Sequence, residues 1–265
     1  MDYHPPPCEL EKIMNLTLAA CDALDGNPDG VIARSDPCKL HFNNGTVTAV
    51  AVAAAILDGL HDRKGRRAYF SYQPSAPFAD ATTAYDAASN TCSLTISGLG
   101  GEWAARFLEL QDASTLPSLD NVTYDTGRPN LTALRAVSGK VFHVHSEQDD
   151  SIPEAALVRY YELARAVTFP GMGYNESVRE LDAFYRLFLV PGAGYCGANA
   201  NQPNGGWLRT TLQSVIERVE EDVAPATLDG TGGIDEICRW PPRPLCRESI
   251  DTWMYELDAF KLPQY

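Results

Sequence analysis

Lys140-Val-Phe-His-Val-His-Ser-Glu-Gln-Asp-Asp-Ser-Ile-Pro153 and Arg186-Leu-Phe-Leu-Val-Pro-Gly-Ala-Gly-Tyr-Cys-Gly197 are the stretches that decide the fold. Lys140 to His145 alternates apolar and polar side chains, the mark of a half-buried strand. A short acidic loop follows, and Pro153 to Val167 reads as a helix opened by proline, whose fixed φ suits a first turn. Arg186 to Val190 is a nearly continuous apolar run, as in strands buried on both faces of a parallel sheet. It runs into the loop Pro191 to Pro203, and Trp207 to Val223 then has amphipathic helical spacing. Strand, loop, helix, strand, loop, helix is the pattern of a parallel α/β unit.

Upstream the texture differs. Leu10 to Ala20 and Val50 to Leu60 carry helical spacing, and an acidic, glycine-bearing loop, Asp22 to Asp36, follows the first of them. Ser71 to Gly101 reads as loops and short strands, and Phe107 to Thr132 as surface. The chain divides near residue 138, into an irregular part, 1–138, and the end of an α/β sheet, 139–265. No internal repeat is visible.

Composition narrows the class. With 265 residues, 45% of them apolar, the chain is long enough for a sizeable core and too apolar for disorder. Its 35 acidic and 21 basic side chains give a net charge of −14, which repels phosphate backbones and argues against a nucleic-acid partner. No run of 18 apolar residues is present to span a membrane. Seven cysteines contain no C-x-x-C pair, and Cys21–Cys38 and Cys238–Cys246 bracket loops as small disulfide staples do. Sequons at Asn15, Asn44, Asn121, Asn130 and Asn175 favour a glycosylated, oxidised, secreted protein. The opening Met1-Asp-Tyr-His-Pro-Pro-Pro7 has no cationic-then-apolar pattern, so no signal peptide is read there. Secreted character without a signal makes the chain look like part of something larger.

Cys21-Asp-Ala-Leu-Asp-Gly-Asn-Pro-Asp-Gly-Val31 sets three carboxylates and an amide within eight residues. Crowded anionic oxygens repel one another unless a hard cation sits among them, and calcium takes six to eight such donors. Asp25 to Asp36 even satisfies D-x-N-x-D-G-x5-D, close to an EF-hand loop. Pro37, Cys38 and His41-Phe-Asn-Asn-Gly45 are not expected to supply the exiting helix of a true EF-hand. The plainer alternative is an acidic turn closed by Asx-type hydrogen bonds.

In open parallel sheets, ligands sit at the carboxyl ends of the strands. His145 to Pro153 is such a loop, and Asp149 there can orient an imidazole as the acid of a Ser-His-Asp triad. Asp150 or Ser151 could equally cap the helix. Pro191 to Gly197 is where an α/β-hydrolase, with its order nucleophile, acid, histidine, places the histidine.

Three motifs together resemble the tannase and feruloyl esterase family. They are Cys21-Asp-x-Leu-Asp-Gly-x-x-Asp-Gly-Val31, Ser151-Ile-Pro with Tyr160-Tyr-Glu162, and Val190-Pro-Gly-x-Gly-x-Cys-Gly197. The tail from Ile250-Asp-Thr-Trp-x-Tyr-Glu256 to Tyr265 is similar to fungal tannases, and the resemblance covers nearly the whole chain. It implies an α/β fold, the C-terminal part of an α/β-hydrolase, with an inserted, calcium-binding, disulfide-bearing lid domain, and hydrolysis of galloyl or related phenolic esters. By the family pattern Asp22, Asp25 and Asp29 ligate calcium through side chains, and Asn27 and Val31 through backbone carbonyls; an EF-hand would use Asp36 in place of Asp22. Asp149 falls on the triad acid, Tyr195 on the triad histidine, and Cys196 on a cysteine bonded to the neighbour of the serine.

Two departures stand out. The family's Gly-Cys-Ser-x-Gly-Gly elbow is absent, and no G-x-S-x-G occurs; Cys92-Ser93 is followed by Leu94-Thr-Ile-Ser97, which alternates like a strand. Tyr195 stands where a histidine is needed, and a phenol of pKa near 10 does not take a proton at pH 7 as an imidazole near 6.5 does. His143 and His145 share a strand face, as packing groups, a metal pair or, for His145 beside Asp149, another general base. Asp62-Arg-Lys-Gly-Arg-Arg67 reads as a solvated turn or a processing site. The expectation is a secreted tannase-type ester hydrolase of which this chain is the C-terminal portion, joined through Cys196 to an N-terminal chain or segment bearing the serine. The alternative is a non-catalytic, calcium-stabilised glycoprotein.

Overall fold

The computed structural model describes residues 3–41, 48–78, 83–95, 128–232, 236–241 and 260. Helix α1 (Pro7–Cys21) starts on proline and buries Leu10, Ile13, Thr17 and Cys21, whose spacing keeps them on one face. A 3-10 turn (Asp22–Asp25) leads through Gly26, at φ 89°, into the acidic loop. Helix α2 (Ser35–His41) follows, which corrects the expectation that Pro37 bars one. Pro37 sits in the first turn, where a missing N–H breaks no intrahelical bond. Cys21 and Cys38 form the expected disulfide, packed with Ile32 and Leu18.

Helix α3 (Thr48–Asp58) lays Ala49 and Ala53 on Ile13. Strands β1 (Thr83–Asp86) and β2 (Thr91–Leu94) pair antiparallel, with Ser93 opposite Ala84, so Ser93 lies on a strand and not on an elbow. The basic cluster is a solvent-facing turn in which Asp62 accepts from the N–H groups of Lys64 and Arg66.

The second half follows the α/β pattern. After α4 (Thr132–Ala136), strand β3 (Val141–Ser146) is followed by α5 (Glu154–Thr168), α6 (Tyr174–Asp182) and β4 (Tyr185–Val190). Strands β3 and β4 are parallel, Val141 opposite Tyr185 and Ser146 opposite Val190. One face carries Tyr185, Leu187 and Leu189 against Ala155, Val158 and Tyr161 of α5. The other packs Phe188 and Val190 on Leu228 and Ile237. These come from an antiparallel pair, β7 (Thr227–Asp229) and β8 (Glu236–Cys238), which follows the small hairpin β5 (Ala193–Gly194) and β6 (Gly197–Ala198) and helix α7 (Thr211–Glu220).

All six β4 residues are buried, whereas β3 is half-buried until Ser146 and, among the described residues, pairs with β4 alone. Helix α7 is shorter than its sequence spacing predicts, and its apolar stripe faces solvent: Leu212 and Val219 are 74% and 61% exposed, while Arg218 is its buried residue.

Three sequons are described. Asn15 and Asn175 are exposed on helices, but the hydroxyl-bearing residue of each is buried. Thr17 donates to the Ile13 carbonyl; the Ser177 hydroxyl lies 2.8 Å from the Gly173 carbonyl and accepts from Arg165. Asn130 is exposed before α4, beside an exposed Thr132. Asn44, Asn121, Cys246 and the tail residues 250–259 and 261–265 lie outside the described residues; Cys238 is itself disulfide-bonded.

Candidate active site

The two parallel strands deliver their following loops to one place. The Glu147 N–H donates to the Val190 carbonyl and the Gln148 N–H to the Ala193 carbonyl, so pairing persists past the strand ends. Asp149 is next, 4% exposed. Its Oδ1 accepts from the N–H groups of Ser151 and Ile152, both at 2.8 Å. Asp149 itself therefore closes the turn before α5, the duty the sequence left to Asp150 or Ser151. Its Oδ2 lies 3.7 Å from His145 Nε2.

His145 Nε2 also lies 2.9 Å from the Ile152 carbonyl, which makes that nitrogen the donor. Burial pushes the His145 imidazole below its usual range, while the Ile152 carbonyl and Asp149 pull it upward. His145 thus bridges strand and loop. His143, on the same face, is bonded through Nδ1 to the Tyr185 hydroxyl at 2.8 Å and is lowered by burial. Among the described residues, neither joins a cluster of three His, Cys, Asp or Glu side chains able to hold a metal.

Tyr195 and Cys196 form the turn between β5 and β6. Tyr195 is 56% exposed, and its N–H reaches Asp150 Oδ1 at 3.4 Å. Cys196, at φ 53°, is a free exposed thiol. The acid loop and the residue-195 turn are thus adjacent, with Asp150 joining them. Nearby, a cavity of about 550 Å³ is lined mainly by apolar and aromatic side chains including Val52, Ile56, Tyr69 and Phe70. Tyr72, also in its wall, donates to the Ser151 carbonyl of the acid loop at 3.2 Å.

The acidic loop is drawn around its own backbone. Asp22 Oδ1 accepts from the N–H groups of Asp29, Gly30 and Val31, and Asp29 Oδ1 also accepts from Val31. Asp25 Oδ1 accepts from the Asn27 N–H, and Asn27 Nδ2 donates to Asp29 Oδ2. Among the described residues no three His, Cys, Asp or Glu side chains converge on a metal position. The donor set is nevertheless all hard oxygen, and the loop is electrostatically uneasy. Desolvation raises Asp25 and Asp29 above the usual carboxylate range, and Asp22 adds to both shifts. Such a loop fits a calcium ion in donor type and in its need for positive charge.

Three side chains that the sequence did not flag meet here. Gln148, Gln202 and Asn204 bind the backbone of the acidic segment, at Ile32 and Asp29. Amides carry no charge or periodicity, so no local signal marks them.

A buried carboxylate after one parallel strand and a turn-borne side chain after the next occupy the places where an α/β-hydrolase carries its acid and its histidine. The chain belongs to the tannase and feruloyl esterase family, whose model matches residues 1–111 and 104–251. It is 36% identical to a tannase of Aspergillus oryzae, covering 100% of this chain and 59% of that protein. It is 25% identical to a probable feruloyl esterase B-1 of Aspergillus fumigatus, covering 87% of this chain and 49% of that one. Among solved structures, a tannin acyl hydrolase from Aspergillus niger superposes with a TM-score of 0.82 at 40% identity, covering 100% of this chain and 58% of the other. The chain thus spans half to three-fifths of the length of these relatives.

Proposed function

We propose that this chain is the C-terminal portion of a secreted carboxylic ester hydrolase acting on galloyl or related phenolic esters. The observation that carries the reading is the buried Asp149 beside the residue-195 turn, at the ends of adjacent parallel strands. The mechanism is acyl transfer: a serine from a segment outside these 265 residues attacks the ester carbonyl, a base at position 195 takes its proton, and Asp149 orients that base. The base then returns the proton to the leaving alcohol, and water repeats the cycle on the acyl-enzyme. With Tyr195 as the base, the chain as it stands does not catalyse. The non-catalytic reading has that tyrosine in its favour.

The serine-bearing segment has a surface to meet. Among the described residues, half-buried β3 pairs on one edge only, and helix α7, which packs beside β3, exposes Leu212, Ile216 and Val219. Cys196, exposed and free, is the covalent link. Comparing the mass of protein from its native source with and without reductant tests this. Release of a second polypeptide on reduction is expected; a lone chain whose mass changes only by added hydrogens overturns the partnership.

Asp22, Asp25, Asn27, Asp29 and Val31 hold structural calcium in this reading, which supplies the positive charge that the loop lacks. Because the folded pKa values of Asp25 and Asp29 are raised, the folded chain binds more protons than the unfolded one just above pH 3.8, the ordinary value. Without metal, these two groups make stability fall as pH rises through that window. Calcium reverses the slope, and at about a hundred times its dissociation constant stabilises the chain by about 2.7 kcal/mol. Thermal unfolding in EDTA and in calcium, at pH 4 and pH 7, reads both effects; identical curves would sink the calcium assignment.

A further inference from the structure

We infer that Gln148 and Gln202 are positioning residues that clamp the main chain of Ile32, tying the disulfide-closed acidic segment to both strand-end loops of the candidate active site. The side chains of Gln148, Gln202 and Ile32 are all fully buried. Gln202 Oε1 accepts from the Ile32 N–H at 2.8 Å, and Gln148 Nε2 donates to the Ile32 carbonyl at 3.3 Å. Gln148 Oε1 accepts from the Gly192 N–H at 2.6 Å. Gln148 precedes Asp149, and Gly192 opens the loop that ends in the residue-195 turn. One amide therefore joins the acid loop, the base loop and the acidic segment.

Buried main-chain N–H and C=O groups are almost always paired, and in strands a ladder does this. Here two glutamines replace the ladder for Ile32. Among the described residues the Nε2 atom of Gln202 has no hydrogen-bond partner, and its Oε1 holds the Ile32 N–H. Packing reinforces the bridge: a Cβ on Gly192 would come 2.8 Å from Val31 Cγ1, and Asn204 Nδ2 donates to the Asp29 carbonyl at 2.6 Å. The segment between Cys21 and Cys38 is thus the third leg of the site, and its state is passed to residue 195 through Gln148.

The catalytic meaning of this clamp rests on reading 149 and 195 as acid and base positions, whereas its existence is measured without activity. Hydrogen exchange by mass spectrometry on the 265-residue chain is the test. In Gln148→Met the amides of Gly192 to Tyr195, whose first member loses its acceptor, exchange about tenfold faster, while the Ile32 amide, still held by Gln202, and those of α5 stay within about twofold. Gln148→Glu keeps an acceptor for Gly192, so it restores protection there although the donor to the Ile32 carbonyl is lost. Gln202→Met frees Ile32 and leaves Gly192 unchanged. Reducing the Cys21–Cys38 disulfide loosens Gly192 to Tyr195 in the wild type, with no further loosening in Gln148→Met. Unchanged exchange at Gly192 to Tyr195, or equal acceleration throughout α5, overturns the clamp. If Gln148→Met does not fold, Gln148→Glu and Gln202→Met decide alone. A clamp confirmed in a protein that no repair makes active would sink the esterase reading and leave this one standing.

Discussion

Tyr195→His, in this chain joined to a serine-bearing segment of a family relative, is expected to raise hydrolysis of methyl gallate by at least about a thousandfold. Losing one triad member removes most of the rate, because serine, base and acid act as a unit. A phenol near pKa 10 is a poor acceptor for the serine proton, and an imidazole near 6.5 is matched to neutral pH. The turn tolerates the change: position 195 is 56% exposed between β5 and β6, and the contact with Asp150 is made by its main chain. The gain should vanish as pH falls through the imidazole range, and Asp149→Asn in the same background should remove most of it. Steady-state kinetics against pH in the single and double variants read this. A folded, assembled Tyr195→His protein without activity would leave the non-catalytic reading.

Gly205→Ala should cost about 3 kcal/mol or more and force apart the close approach of Gly205 to Gly192 within the connection between β4 and α7. A Cβ there would lie 2.3 Å from the Gly192 carbonyl oxygen and 2.6 Å from its carbon. Both are backbone atoms, in a residue held at φ 69°, so no side-chain rotation relieves the clash. Gly26→Ala is the control: φ is 89°, yet nothing lies within 4 Å, so only conformational strain of about 1–2 kcal/mol remains. Urea unfolding of both variants with unchanged m-values separates the two cases. Equal losses would mean that the Gly192–Gly205 approach is not tight in solution.

What the sequence made legible follows the reach of its signals. Strands β3 and β4 were readable because alternation and an apolar run persist for whole strands, and their loops followed. Helix α6 escaped notice because Tyr174-Asn-Glu-Ser-Val-Arg-Glu-Leu-Asp182 has only Val178 and Leu181 as aliphatic anchors. Helix α2 runs against the helix-breaking tendency of proline because Pro37 lies in its first turn, where no intrahelical bond is lost. Asp149 stands out in the sequence as a candidate, but its closing of the turn before α5 depends on two N–H groups that only the folded backbone aims at it. The pairing of Gln148 and Gln202 with Ile32 spans more than a hundred residues, so no local pattern encodes it.

The sequons carry a consequence for timing. Once α1 and α6 have formed, Thr17 and Ser177 are sealed beneath their helices and engaged with main-chain carbonyls. An enzyme that must grip that hydroxyl to modify Asn15 or Asn175 then finds it closed, whereas Asn130, with Thr132 in the open, stays accessible afterwards. Sugar at Asn15 or Asn175 would therefore be a record of the nascent chain, attached before its helices closed. Sugar at Asn130 carries no such date.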